Sequence, residues 1–234
     1  MNTFDETSET NSRAYTPEEV QDEFFSGITF LIPYWVNTTH YEYKNKPLTD
    51  RLAGAMHSFY VTLAGNAGFG AGVDMMAYST EEAADAKVAA GLNFFPAGKD
   101  DAVDINDGGL QYHSADQPVE APLQEAGVRR EWTAEEILTM FLKRVNEILT
   151  DWNARTGISD IEKGAGMMRD IFVLCDGNDP KFEARIDFVA SPHPDDKAYY
   201  IENDENYYEE KTLISTPGNS LTQAWDEWWA RTNK

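Results

Sequence analysis

Tyr15-Thr16-Pro17-Glu18-Glu19-Val20 returns as Trp132-Thr133-Ala134-Glu135-Glu136-Ile137, and Trp35 returns as Trp152 at the same offset of 117 residues. After a five-residue deletion Gly54, Met56, Val61, Gly65 and Asn66 return as Gly166, Met168, Val173, Gly177 and Asn178. One inserted residue later Phe69, Ala71, Asp74, Ala77 and Asn93 return as Phe182, Ala184, Asp187, Ala190 and Asn206. Between these identities apolar residues replace apolar ones, as in Val73 with Ile186 and Met75 with Phe188. The chain therefore reads as an internal tandem duplication in which each matched apolar position faces a core.

Working outward, five segments emerge: a disordered lead-in over 1–14, copy one over 15–98, a linker over 99–131, copy two over 132–211, and a C-terminal strand and helix over 212–234 that dock on copy two. Each copy opens with a capping box, Thr16 with Glu19 and Thr133 with Glu136. Ile137, Phe141, Val145, Ile148, Leu149 and Trp152 follow at helical spacing. Gly27 and Pro33 predict a bent or interrupted helix in copy one. Shorter helices are expected over 48–57 and 160–168, the second opened by Ser159 and Glu162.

An antiparallel hairpin is expected next. Ile171-Phe172-Val173-Leu174-Cys175 reads as a buried strand, Asp176–Pro180 as a turn, and 182–190 as the returning strand. Its alternation places Phe182, Ala184, Ile186 and Phe188 inward, matched by Phe69, Ala71, Val73 and Met75. The segment 207–214 reads as a further strand. The fold class is α+β, each copy being helix, helix, antiparallel hairpin and a further strand. Separate hairpins would expose edges beside Gly70 and Gly72 or beside Val189. A pseudo-twofold arrangement that joins them in one body, a monomer, is the expectation. In the terminal helix Leu221, Ala224, Trp225, Trp228 and Trp229 form an apolar face behind Ser220 and Gln223.

Composition excludes several function classes. Of 234 residues 41% are hydrophobic and 12% aromatic, enough for a packed core. No apolar run approaches the length of a membrane span, and the N-terminus has no basic-then-apolar signal pattern, so a cytoplasmic protein with no membrane partner is expected. The lone Cys175 allows no internal disulfide and reads as a buried thiol in a reducing compartment. Nineteen Lys and Arg face 41 Asp and Glu, a formal charge of −22. Such a surface offers no footprint for direct nucleic-acid binding and suits a basic protein partner.

The stretch Ser191-Pro192-His193-Pro194-Asp195-Asp196 resembles the His-Pro-Asp-Asp signature of LmbE-like zinc-dependent N-deacetylases. The resemblance implies a metal-dependent hydrolase with His193 and one aspartate on zinc and the other aspartate as base. Departures are Lys197 where that family has Glu, the late position in the chain, and the lack of any histidine after His193. Over 164–210 the chain is also similar to small bacterial and phage proteins that carry a hairpin, a Pro-His-Pro-Asp-Asp stretch and an Asn-aromatic-aromatic stretch like Asn206-Tyr207-Tyr208. That likeness carries no activity.

Tyr199 to Glu210 interleaves tyrosines with carboxylates, a composition that stacks, hydrogen bonds and attracts cations. No phosphate loop, Cys/His cluster or nucleophile triad is recognisable. The expected function is a non-enzymatic acidic interaction protein, an inhibitor or immunity-type factor of bacterial or phage origin, with no catalytic residue, metal or cofactor. Its binding candidates are His193, Asp195, Asp196, Tyr200, Asn206, Tyr207 and Tyr208. The alternatives are the metal hydrolase above and a small-ligand binder between the copies.

Overall fold

The computed structural model describes residues 12–36, 45–65, 69–80, 88–89, 91–98, 131–215 and 220–232. The lead-in over 1–11, the linker up to residue 130 and the segment 81–87 lie outside the described residues. The described elements are α1 (Pro17–Val36), α2 (Leu48–Leu63), β1 (Gly72–Ser79), β2 (Leu92–Phe95), α3 (Ala134–Ala154), α4 (Asp160–Cys175), β3 (Ala184–Ser191), α5 (Asp196–Glu202) and α6 (Leu221–Thr232). Helices packed against an antiparallel sheet of order β2-β1-β3 make the fold α+β.

The helix starts follow local chemistry. Thr16 and Glu19 exchange hydrogen bonds of 2.8 and 3.3 Å, as do Thr133 and Glu136, and Ser159 and Glu162 form a third capping box. These satisfy amides that the first helical turn leaves free. α1 continues through Gly27 and Pro33 to Val36, so the expected interruption does not occur. At the start of α6 Ser220 caps Gln223, but the Gln223 side chain turns to Glu227. The carboxylate of Asp176, at the end of α4, instead accepts the Leu221 and Thr222 amides at 2.9 Å each.

The expected hairpin within each half is wrong. Ile171–Cys175 is the last part of helix α4, and α2 likewise runs on to Leu63. Ile171, Phe172, Leu174 and Cys175 are all fully buried, because α4 touches α1, α2, α3, α6 and β3. A helix wrapped on so many sides loses its polar stripe and reads as a continuous apolar run. The longest strand pairing runs between the halves: β1 and β3 are antiparallel from Gly72 opposite Ser191 to Ser79 opposite Ala184. β2 pairs with the other edge of β1 across an irregularity at Met75/Met76. The further strand over 207–214 reduces to single bridges, Tyr207 with Ala14 and Leu213 with Val189.

The alternation holds where it was read. Phe69, Ala71, Val73, Met75, Phe182, Ala184, Ile186 and Phe188 are all buried. On the opposite face Gly70 and Gly72 lie under neighbours: a methyl group on Gly70 would come within 2.7 Å of the Tyr208 ring, and one on Gly72 within 2.5 Å of Ala97. Aromatic contacts join the halves, with Phe24 at 5.6 Å from Phe188, Phe25 at 5.5 Å from Phe172 and Phe94 at 5.7 Å from Phe141. Trp225 of α6 sits against both Phe25 and Phe172, so α6 docks on α1 as well as α4.

Several contacts recur at matched positions. Trp35 lies on Gly54 and donates to Ser58 at 2.8 Å; Trp152 lies on Gly166 and donates to Asp170 at 2.7 Å. Arg51 of α2 donates to the Val36 carbonyl at the end of α1, and Lys163 of α4 to the Asn153 carbonyl near the end of α3. Cations at helix C-termini satisfy open carbonyls and the helix dipole together.

Candidate functional site

The residues singled out by sequence cluster where the chain leaves β3. Pro192 and Pro194 bracket His193 in a turn held by its own groups. The His193 amide donates to an Asp196 carboxylate oxygen at 3.2 Å, the Asp196 amide to the His193 carbonyl at 3.0 Å, and the Asp195 amide to His193 Nδ1 at 3.3 Å. The turn launches α5. Asn203 ends it with its side-chain amide on the Tyr199 carbonyl at 2.7 Å, and Asp204 adopts a φ of 58°. Asp and Asn tolerate that left-handed region better than most side chains.

The segment after α5 is tied to the N-terminal residues. Tyr207 exchanges backbone hydrogen bonds with Arg13 and Tyr15, at 3.1 and 2.9 Å, and Asn206 Oδ1 accepts the Arg13 amide at 3.3 Å. Residues 12–14, read from composition as the end of a disordered lead-in, are thus paired with the chain near its other end. Arg13 also forms a two-pronged pair with Glu19, at 2.7 and 2.6 Å. That contact, and the backing by Thr16, hold the Glu19 carboxyl down at about 2.

The candidates separate into two groups. Tyr208 belongs to the core, with its ring 4.8 Å from Tyr15 and 5.2 Å from Phe69. Burial, and then the Glu23 carboxylate, push its hydroxyl far above the ordinary tyrosine range. Burial and then Asp196 raise Tyr200 as well. Asn206 is a positioning residue for the N-terminal segment. It does not correspond in place to Asn93, which lies in β2 opposite Met76.

The remaining candidates face outward. The side chains of His193 and Asp195 are 68% and 93% exposed. α5 has no buried residue, and Tyr199 on it is 61% exposed. Over 195–211 seven carboxylates (195, 196, 202, 204, 205, 209, 210) face two lysines, Lys197 and Lys211. Lys197 is engaged, at 2.6 Å from Glu209 and 4.6 Å above the Tyr207 ring. The hydrogen bond to Glu209 raises the Lys197 ammonium above its usual value.

This arrangement does not build a zinc centre. His193 Nδ1 and one Asp196 oxygen are occupied by backbone amides, and His193 Nδ1 lies 3.8 Å from the nearest Asp195 oxygen. Among the described residues no group of three or more His, Cys, Asp or Glu could hold a metal ion. Cys175 is fully buried, and burial pushes its thiol well up, away from nucleophilic use. An open cleft of about 620 Å³ lies between α4 and α6, lined by Arg169, Val173, Asn178, Thr222, Gln223 and Asp226. The 2.8 Å Arg169–Asp226 pair spans it, and it belongs to the second half, not to the junction of the halves. Among the described residues no helix is long and apolar enough to cross a membrane.

Sequence reading missed the Arg13 strap and the Asp176 cap, since neither contact follows from local spacing. It also missed Phe30, 66% exposed on α1 although surrounded by apolar neighbours in sequence. Compared with known proteins, the chain matches no family model, no curated protein and no solved structure.

Proposed function

We propose that the chain is a non-catalytic, acidic interaction protein of bacterial or phage origin that binds a basic protein through the surface of α5 and residues 203–210. The single observation that carries this reading is that α5 has no buried residue while it presents Tyr199 and the exposed Glu202 carboxylate. Its side chains are therefore open to a partner. Exposed tyrosine beside carboxylates suits recognition of lysine and arginine side chains through stacking and charge together. The test is the binding of a lysine 20-mer to the full chain across salt, beside a variant with Glu202→Gln, Asp204→Asn and Glu205→Gln. The reading expects affinity to fall steeply with salt and the variant to lose about tenfold at low salt. Salt-independent binding, or an unaffected variant, would refute it.

We infer in addition that the scaffold arose by tandem duplication and that its halves are related by a pseudo-twofold axis. Support comes from the recurring Trp-on-Gly contacts and the paired C-terminal cations. Further support comes from the register: Met75 and Phe188, matched in sequence, lie opposite each other, while Asp74 faces Val189 and Met76 faces Asp187. Exchanging matched residues maps this pairing onto itself, as an isologous interface requires.

A further inference from the structure

The outward side of α1 differs from its counterpart on α3 in a way that packing does not explain. Glu19, Glu23, Ser26, Phe30 and Tyr34 follow at spacings of four, three, four and four, a single stripe about 22 Å long at helical rise. α1 contains no lysine or arginine, and Glu18 and Glu23 have no cationic partner among the described residues. At the end of the stripe Phe30 is 66% exposed and stacks on Tyr34, ring centroids 5.8 Å apart and planes at 30°. The positions of α3 matched to Ser26, Gly27, Phe30 and Tyr34 are Lys143, Arg144, Glu147 and Asp151. There the charges neutralise one another, with Arg144 at 2.9 Å from Asp179 and Glu147 at 3.2 Å from Lys181.

From this contrast we propose that the α1 stripe is a docking surface for a basic amphipathic helix, whose apolar side covers Phe30 and whose cations meet Glu18 and Glu23. The inference rests on the reading that this protein binds a basic partner, and names the shape of the segment it holds. Charge complementarity selects the occupant. A second copy of this chain would set glutamate stripes against each other, whereas a cationic helix satisfies both ends of the stripe. An exposed aromatic is the kind of anchor around which binding energy concentrates. The stripe is also continuous with the α5 surface: Glu19 holds Arg13, whose backbone pairs with Tyr207, and the Glu23 carboxylate is felt at the Tyr208 hydroxyl.

The experiment uses the full chain and two 18-residue probes of identical lysine and leucine content. One places leucine at helical i, i+3, i+4, i+7 spacing, and the other is scrambled. Dissociation constants are read by fluorescence anisotropy at two salt concentrations. The proposal expects the amphipathic probe to bind about tenfold more tightly than the scrambled one. Phe30→Ala should abolish that preference without changing the melting temperature, and Phe30→Tyr should keep it. Salt-dependent binding of both probes with no preference, or a preference unchanged in Phe30→Ala, overturns the α1 surface and leaves the acidic-binder reading standing. Salt-independent binding of both, or none, overturns the two together.

Discussion

Replacing Gly166 by alanine should destabilise the protein, although the same change on an exposed helix surface stabilises by about 0.8–1 kcal/mol. The methyl group would lie 2.6 Å from Cζ3 of Trp152, with two further ring atoms closer still. Trp152 has little freedom to yield: its indole N–H is bonded to Asp170 at 2.7 Å and Arg155 stacks 3.5 Å above its ring. Overpacking costs about 1–3 kcal/mol, and displacing the ring sacrifices a hydrogen bond to a carboxylate, about 1.5–3 kcal/mol. Subtracting the helix-propensity gain leaves a net loss of about 1.5–5 kcal/mol. For a chain of this size that lowers Tm by about 3–20 °C. Gly54→Ala should act in the same direction and less strongly, because Trp35 bonds to the neutral Ser58 hydroxyl. Thermal unfolding by circular dichroism, followed also by tryptophan emission, measures both. A double-mutant cycle with Trp152→Leu isolates the contact, since alanine at 166 should then cost nothing or stabilise. A raised Tm for Gly166→Ala alone, or additive effects in the cycle, would refute the close Trp-on-Gly packing from which the recurrence argument proceeds.

Asp176→Ala removes the acceptor for the Leu221 and Thr222 amides and should cost about 1–2 kcal/mol in urea unfolding, with Trp225 emission shifting red as α6 loosens. Cys175 should react with a thiol reagent only through unfolding, about three orders of magnitude or more below the unfolded rate at an ordinary stability of ~5 kcal/mol. Fast native labelling would contradict its burial. The Glu19 carboxyl is depressed from 4.5 to about 2 in the folded protein, so its pairing is fully present above about 4.5 and is lost as pH falls through about 2. Side-chain carboxyl titration by NMR should find that midpoint, and Arg13→Ala should move it up while weakening the Tyr207 pairing.

How much of this was legible follows from which forces act at each residue. Thr133 with Glu136 and Ser159 with Glu162 were readable because a capping box is local chemistry, complete within four residues. The inward faces of β1 and β3 were readable because each strand is buried on one side, which writes a period of two into the sequence. The end of α4 was not. Ile171, Phe172, Leu174 and Cys175 are packed by neighbours from both halves, and periodicity carries no information where nearly every side is buried. Length would have settled it, since capping at Ser159 and the turn at Asp176 bracket a 16-residue helix without interruption. Taking that stretch as a strand forced the hairpin to close within each half. Once it is helical β1 and β3 each keep an open edge, and pairing the two closes one edge of each, leaving the far edge of β3 with the bridge to Leu213.

The site was legible only as composition, for a physical reason that also bears on function. Trp35, Gly54, Trp152 and Gly166 each touch a fixed partner, and such positions still resemble one another across the two halves. No residue of α5 is buried, and among the described residues the ring partner of Phe30 is its neighbour Tyr34. At the matched positions the first half has Phe30 and Tyr34 where the second has Glu147 and Asp151, and α5 follows β3 where Asn206 and Asn93 part company in space. If the halves descend from one unit, as proposed, their likeness at these packing contacts and their difference at α5 and Phe30 fit one fold presenting different faces. On the proposed reading the acidic α5 surface and the α1 stripe would act as one asymmetric binding face. Charge neutralisation on α5 and Phe30→Ala should then weaken a cationic amphipathic probe by factors that multiply, whereas two unrelated patches would leave the probe sensitive to only one of them.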